Sequence, residues 1–391
     1  RVCLKGIKIV DWLKLGQNII EPNGTLEIDF ENIRCSPNSD LCETWRNFSS
    51  IIDFLRSVKH LKFGTIPTFV IEELLNAAVT ENCYNSFSNL ETLVAKNVFE
   101  EETKTSQCFL NFLEQIGFLP NLTTLHVECK QGFAGDESSA DLLNEAFATL
   151  PGLRTLIIPC IKGFTVEQFY FLTKLKNLEH LEIGSCESWT AFQAETTKDN
   201  DSQKGGEEAT EKKELQTEIV EPKGAFKYLS ELTKLRKLKL VDVLIDETSN
   251  QLSMALQKMP ELTSLSLESV TISPEATETL DLLCTTIKSH LHCLKEFTIC
   301  TDDPHTNRCV FELLKKLDNL SKITWKVGAL VEDSGECFVQ FLKDRGAESE
   351  TEGENLDLTN GDDNLEMMDM TFLSEMLQVE LASTRVTIVP Q

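Results

Sequence analysis

Apolar residues recur along this chain at relative positions one, four, seven and nine. Copies of the pattern begin at Leu55, Phe87, Leu119, Leu150, Leu175, Leu232, Met259, Leu291 and Leu317. One copy reads Leu119-Pro120-Asn121-Leu122-Thr123-Thr124-Leu125-His126-Val127, another Leu150-Pro151-Gly152-Leu153-Arg154-Thr155-Leu156-Ile157-Ile158. Each copy ends in strict alternation, which predicts a short strand with one buried face. Before most copies lies a stretch with helical spacing, such as Phe109, Leu110, Phe112, Leu113 and Ile116 within 105–118. Similar stretches occupy 67–80, 138–149, 165–174, 246–258, 274–290, 306–317 and 334–345. One strand and one helix per unit, repeated, predicts an α/β solenoid with a parallel sheet on its concave side and helices outside. No unit can bury its leucines alone, so stacking supplies the core.

The second apolar site of each copy is called here its anchor. The anchors are Val58, Leu90, Leu122, Leu153, Leu178, Leu235, Leu262, Leu294 and Leu320. Their successive gaps are 32, 32, 31, 25, 57, 27, 32 and 26 residues. Without the 57 they average about 29, the period of long leucine-rich repeats. The 57-residue gap still joins neighbours, because Phe169-Tyr170-Phe171-Leu172-Thr173-Lys174-Leu175 recurs as Phe226-Lys227-Tyr228-Leu229-Ser230-Glu231-Leu232. The excess is an acidic insertion over 187–222, expected to be disordered. A second acidic stretch, 346–369, holds nine acidic residues and no Lys or Arg. The expected organisation is irregular or capping repeats over 1–54, leucine-rich repeats over 55–186 and 223–345, and a capping helix and strand over 370–391. The whole makes about ten to twelve irregular repeats.

These segments resemble ribonuclease-inhibitor-type leucine-rich repeats over about 55–345, which implies a horseshoe. The irregular periods are similar to the repeats of NLR innate immune sensors. Leu119-Pro120-Asn121-Leu122 and Leu175-Lys176-Asn177-Leu178-Glu179-His180-Leu181-Glu182-Ile183 look most like the neuronal apoptosis inhibitory protein branch. The resemblance implies a ligand-sensing, autoinhibitory region of a cytosolic immune receptor, part of an inflammasome-type system. Regular repeats place Asn or Cys three residues past the last strand leucine. Here those sites hold Val98, Lys130, Ile161, Cys186, Val243, Val270 and Asp302, and only Cys186 fits. That departure suits divergent NLR repeats and equally the substrate-recognition repeats of F-box ubiquitin-ligase adaptors. A GTPase-activating repeat protein with an acidic tail is a third class, for which no catalytic arginine stands out.

Charge narrows the partners. The chain has 63 Asp+Glu against 37 Lys+Arg, a formal charge of −26. Such a surface repels phosphate backbones and anionic lipid, so nucleic acid is not an expected partner. No apolar run reaches the roughly 18–20 residues of a membrane span. The chain starts at Arg1 with no apolar leader, and reads as a piece of a longer protein whose oligomerisation, if any, lies outside it. Thirteen cysteines without a CxxC pair, mostly among apolar neighbours, suit free thiols in the cytoplasm. Cys284, His290, His292, Cys293, Cys300, His305 and Cys309 cluster along the chain but lack the close pairs of structural zinc sites. No phosphate loop, His-Glu-x-x-His or Gly-x-Ser-x-Gly occurs. The expectation is a non-catalytic scaffold without cofactor or metal, whose partner is a protein ligand or a neighbouring domain of the same polypeptide.

The residues two, four and six places after each anchor should face the concave side, 27 positions in nine copies. They include Lys62, Lys96, Lys237, Lys239, Lys322 and Lys326, against Glu128, Glu182, Glu268 and Glu296, with His60, His126 and His180. Bulk composition predicts about 2.6 basic and 4.4 acidic residues there. The inner face of this very acidic chain is therefore near +2. Two readings stand: lysines suit exposed strand positions, or the face is kept free of excess negative charge for an acidic partner.

Overall fold

The computed structural model describes residues 2–3, 25–28, 58–63, 66–67, 89–99, 116–129, 133–134, 139–159, 161–162, 165–184, 224–245, 250–273, 276–301, 309–310, 313–314, 317, 320–327, 378–380 and 385–390. They fall in two compact units, Arg1–Leu235 and Arg236–Gln391.

The first unit contains β1 (Val2–Cys3), β2 (Thr25–Ile28), β3 (His60–Phe63), β4 (Ile66–Pro67), β5 (Thr92–Phe99), β6 (Thr124–Cys129), β7 (Phe133–Ala134), β8 (Thr155–Ile158), β9 (Ile161–Lys162) and β10 (His180–Ile183). Seven of these form a parallel sheet in the order β1-β2-β3-β5-β6-β8-β10. Leu61, Leu93, Leu125, Leu156 and Leu181 stand in one register row across it, each with no solvent exposure. Burying such a leucine contributes about 1.5–3 kcal/mol. Helix α1 (Ser139–Ala148), a 3-10 helix (Glu167–Lys174) and α2 (Gly224–Leu229) stack in turn. Phe147 lies against Phe171, ring centroids 4.6 Å apart, and Tyr170 meets Tyr228 edge-on at 5.7 Å. Lys176 pairs with Glu231 at 2.7 Å, and Lys234 donates to Asn177 at 2.8 Å. The repeats on either side of the 57-residue gap are therefore spatial neighbours.

The second unit contains β11 (Lys237–Val241), β12 (Leu244–Ile245), β13 (Ser264–Glu268), β14 (Thr271–Ile272), β15 (Glu296–Thr301), β16 (Lys322–Val327), β17 (Gln378–Glu380) and β18 (Arg385–Pro390). Strands β11, β13, β15, β16 and β18 run parallel in that order, with β17 antiparallel to β18. Leu238, Leu265, Phe297, Ile323 and Val386 share one register row. Helices α3 (Asn250–Leu256) and α4 (Thr277–His290) supply further buried leucines, among them Leu252, Leu256 and Leu283.

One hydrogen-bond frame recurs. The carbonyl just after the anchors Val58, Leu90, Leu122, Leu153, Leu235 and Leu262 accepts two consecutive amides from the next repeat: Thr123 and Thr124 donate to Glu91, Arg154 and Thr155 to Thr123, Thr263 and Ser264 to Arg236. The amides of Leu122, Leu153, Leu178, Leu235, Leu262 and Leu294 each donate to the carbonyl three residues before, as Leu122 to Leu119, Leu153 to Leu150 and Leu262 to Met259. All nine anchors are buried. The strand side of the repeat is thus constant, and the variation in period falls on the helical side. A 32-residue gap accommodates the 14 residues of α4, a 31-residue gap the 10 of α1, and a 27-residue gap the 7 of α3. The 25-residue gap holds the 3-10 helix instead of the α-helix its spacing suggests. A 3-10 helix rises about 2.0 Å per residue against about 1.5 Å, so a short segment spans more distance.

The missing Asn ladder is replaced by main chain. Buried Ile161, Val243 and Val270 occupy ladder sites, and beside them run short parallel ribbons, β7 with β9 and β12 with β14. Val270 donates to Cys300 at 2.9 Å and Thr271 to Val243 at 3.0 Å. Asp242 and Ser269, each seven residues past its anchor, hold positive φ of 57° and 49°. The same left-handed corner turns two successive repeats into their ribbons.

Strands β1 and β2 lie within 1–54, the segment expected to hold irregular capping repeats, and extend the sheet there. Within the expected capping helix, Gln378–Glu380 forms a strand, while the strand expected after it is β18. The acidic stretches 187–222 and 346–369, and the helical stretches 68–80 and 334–345, lie outside the described residues. Among the described residues no helix is long and apolar enough to cross a membrane.

Candidate binding face

The candidate site is the sheet face opposite the buried leucines. Strand alternation sets it: β13 reads half-exposed, buried, half-exposed, buried, half-exposed, and β8 and β10 alternate likewise. Twelve of the thirteen candidate residues are exposed or half-exposed at these alternate positions. For the thirteenth, Lys326, the register places it opposite Cys300 on β16. The sixth place after the anchor is less uniform than alternation implies. Cys300 and Gly184 occupy it and are buried.

In the first unit the face carries His60, Thr92, Thr124, Thr155 and His180 in one register row, and Lys62, Val94, His126, Ile157 and Glu182 in the next. His60 Nδ1 lies 3.0 Å from Thr92 Oγ1. His126 contacts the Glu128 carboxylate two residues along the same strand. Its side chain is only 13% exposed, although it stands on an open face. Lys62 and Lys96 point to solvent.

In the second unit the first row is Lys237, Ser264, Glu296, Lys322 and Arg385. The second row is Lys239, Ser266, Thr298, Thr324 and Thr387, a lysine followed by four hydroxyl residues. Lys239 pairs with Glu268 at 3.1 Å and Lys322 with Glu296 at 3.7 Å. The lysine excess is therefore partly internal: two of the lysines answer acids of the same face. Lys237 is exposed, with no ion pair among the described residues.

Strand register also adds face residues that motif reading missed. Arg385 and Thr387 continue the rows on β18, and Thr25 and Glu27 stand beside His60 and Lys62 on β2. The anchors of these terminal repeats would be Ser383 and Asn23, polar residues where the motif demands an apolar one. The alternations Val386-Thr387-Ile388 and Leu26-Glu27-Ile28 were the available signal. Counted by strand, the first unit's face has Lys62 and Lys96 against Glu27, Glu128 and Glu182. The second has Lys237, Lys239, Lys322, Lys326 and Arg385 against Glu268, Glu296 and Glu380, the last in register with Arg385 on β17. The positive bias belongs to the second unit.

Of the cysteine–histidine cluster, His305 lies outside the described residues. Cys284 is buried on α4, its thiol 3.6 Å from the Leu313 carbonyl, while His290, His292 and Cys293 are exposed. Among the described residues, no three His, Cys, Asp or Glu side chains gather as metal ligands would.

No family model and no curated protein matches the sequence. Among solved structures, the chain is similar to a Bacteroides fragilis protein determined by a structural genomics consortium. The identity is 14% and the TM-score 0.37, over 69% of this chain and 70% of that one.

Proposed function

We propose that this chain is a non-catalytic protein-recognition scaffold, a leucine-rich-repeat horseshoe of about ten to twelve units. In this reading it is the ligand-sensing and autoinhibitory region of a cytosolic NLR-like receptor, and its partner is a protein ligand or a neighbouring domain of the same polypeptide. The observation that carries it is the contrast between the two sides of each strand. One side repeats buried leucines, with Phe297 and Ile323 in the same role, in strict register; the other varies from repeat to repeat, mostly among Thr, Ser, His, Lys and Glu, with Val94 and Ile157 between them. A packing frame held constant beneath a varied polar surface is what a recognition solenoid needs. The NLR assignment rests on the sequence resemblance.

A photo-crosslinking residue tests the reading when placed at Thr298 on the sheet face and, separately, at Thr285 on the exposed side of α4. Protein adducts should form from position 298 and not from position 285. Adducts with a nucleotide-binding domain of the same polypeptide, or with a microbial protein, would support the sensor assignment. Adducts confined to position 285 would move recognition to the helices.

A further inference from the structure

We infer that the face of the second unit takes an acidic peptide segment, laid across strands β11, β13, β15, β16 and β18. The inference rests on the scaffold reading and specifies the chemistry of its partner. Five strands at about 4.8 Å spacing place Lys237, Lys322 and Arg385 along a row roughly 19 Å long. Beside it runs the hydroxyl row of Ser266, Thr298, Thr324 and Thr387, with Lys239 at its head. Hydroxyl groups and ammonium groups both donate to carboxylates. Three acids interrupt the surface, and each stands beside a base: Glu268 holds Lys239, Glu296 holds Lys322, and Glu380 on β17 is in register with Arg385. What these pairs leave over is positive, on a chain whose formal charge is −26. The first unit's face, with its threonine row and three histidines, has no such surplus.

Long-range repulsion does not defeat this. At physiological salt the screening length is about 8 Å, so an acidic segment seated on the face responds to the lysines beneath it more than to remote carboxylates. Absolute affinity mixes that attraction with repulsion from the rest of the chain. The informative quantity is the difference between the protein and a variant altered only on this face.

The test is fluorescence anisotropy of the full chain with a labelled poly-glutamate peptide of about ten residues, long enough to cross the five strands. Single-stranded DNA of equal charge and poly-lysine serve as comparisons. The paired substitution Lys237→Glu and Lys239→Glu should weaken poly-glutamate binding about tenfold or more at low salt, and less at high salt. The matching pair on the first unit, Lys62→Glu and Lys96→Glu, should change it less than about twofold. Circular dichroism of both variants shows whether they remain folded. Should the first pair disturb folding, the milder Lys237→Gln with Lys322→Gln carries the same expectation at smaller size. Absent binding of poly-glutamate, equal losses from both pairs, or tighter binding of DNA would each overturn the inference. If poly-glutamate fails while the crosslinker at position 298 still captures protein, only the acidic partner falls. If neither gives a signal, the scaffold reading falls with it.

Discussion

Leu125 and Leu265 sit at the same place in two repeats, fully buried and in register with apolar residues on both neighbouring strands. Truncating either to Ala leaves a cavity that stacked repeats cannot close, so each should cost ~2–5 kcal/mol. Denaturant unfolding measures this; an unchanged midpoint in both variants would contradict the register. Ser269 gives the opposite opportunity. Its φ of 49° is a left-handed conformation that costs an L residue about 1–2 kcal/mol. Ser269→Gly removes that strain and adds flexibility to the unfolded chain, leaving a net change between zero and ~1 kcal/mol of stabilisation. Ser269→Val should destabilise by more than ~1 kcal/mol. Equal melting temperatures for the two variants would show that the corner has relaxed.

At the scale of elements, the 57-residue gap separates two repeats that already touch through α2 and the 3-10 helix. Deleting about 190–218 restores a spacing close to the ordinary period of about 29, so far-UV circular dichroism and the melting temperature should hardly change. Loss of cooperative unfolding would show that the deleted residues complete a repeat. The strands were legible in the sequence because alternate burial forces Leu, Ile, Val or Phe into fixed places, and anchors such as Leu122 and Leu294 tolerate little else. The terminal strands were not, since Asn23 and Ser383 stand where an anchor should. Repeats close to the ends of the sheet serve as caps and need not match the motif. Nor did periodicity distinguish the 3-10 helix at 167–174 from an α-helix, because buried Phe169 and Leu172 satisfy a spacing of three in either. The candidate face was legible residue by residue, but its charge balance was not. Pairs such as Lys239 with Glu268 join residues 29 apart in sequence, and only strand register brings them together.

For the molecule as a whole, 63 acidic residues against 37 basic ones mean that the folded chain works against its own charge. Compaction brings carboxylates closer together, and salt relieves that repulsion. The melting temperature should therefore rise between low and physiological ionic strength, as differential scanning fluorimetry can follow. A fall would mean that surface pairs such as Lys59–Glu91 and Arg154–Glu179 outweigh the net charge. The hydrogen-bond frame has a consequence of another kind. Because the carbonyl after anchors such as Leu90, Leu122 and Leu262 receives the same two amides from the next repeat, those units are interchangeable at their junctions. A stretch of gene encoding one period can be copied, lost or exchanged, and the product still meets its neighbours in register. Selection can then lengthen such a protein, or rewrite the outward residues of one unit, without first having to rebuild the core beneath it.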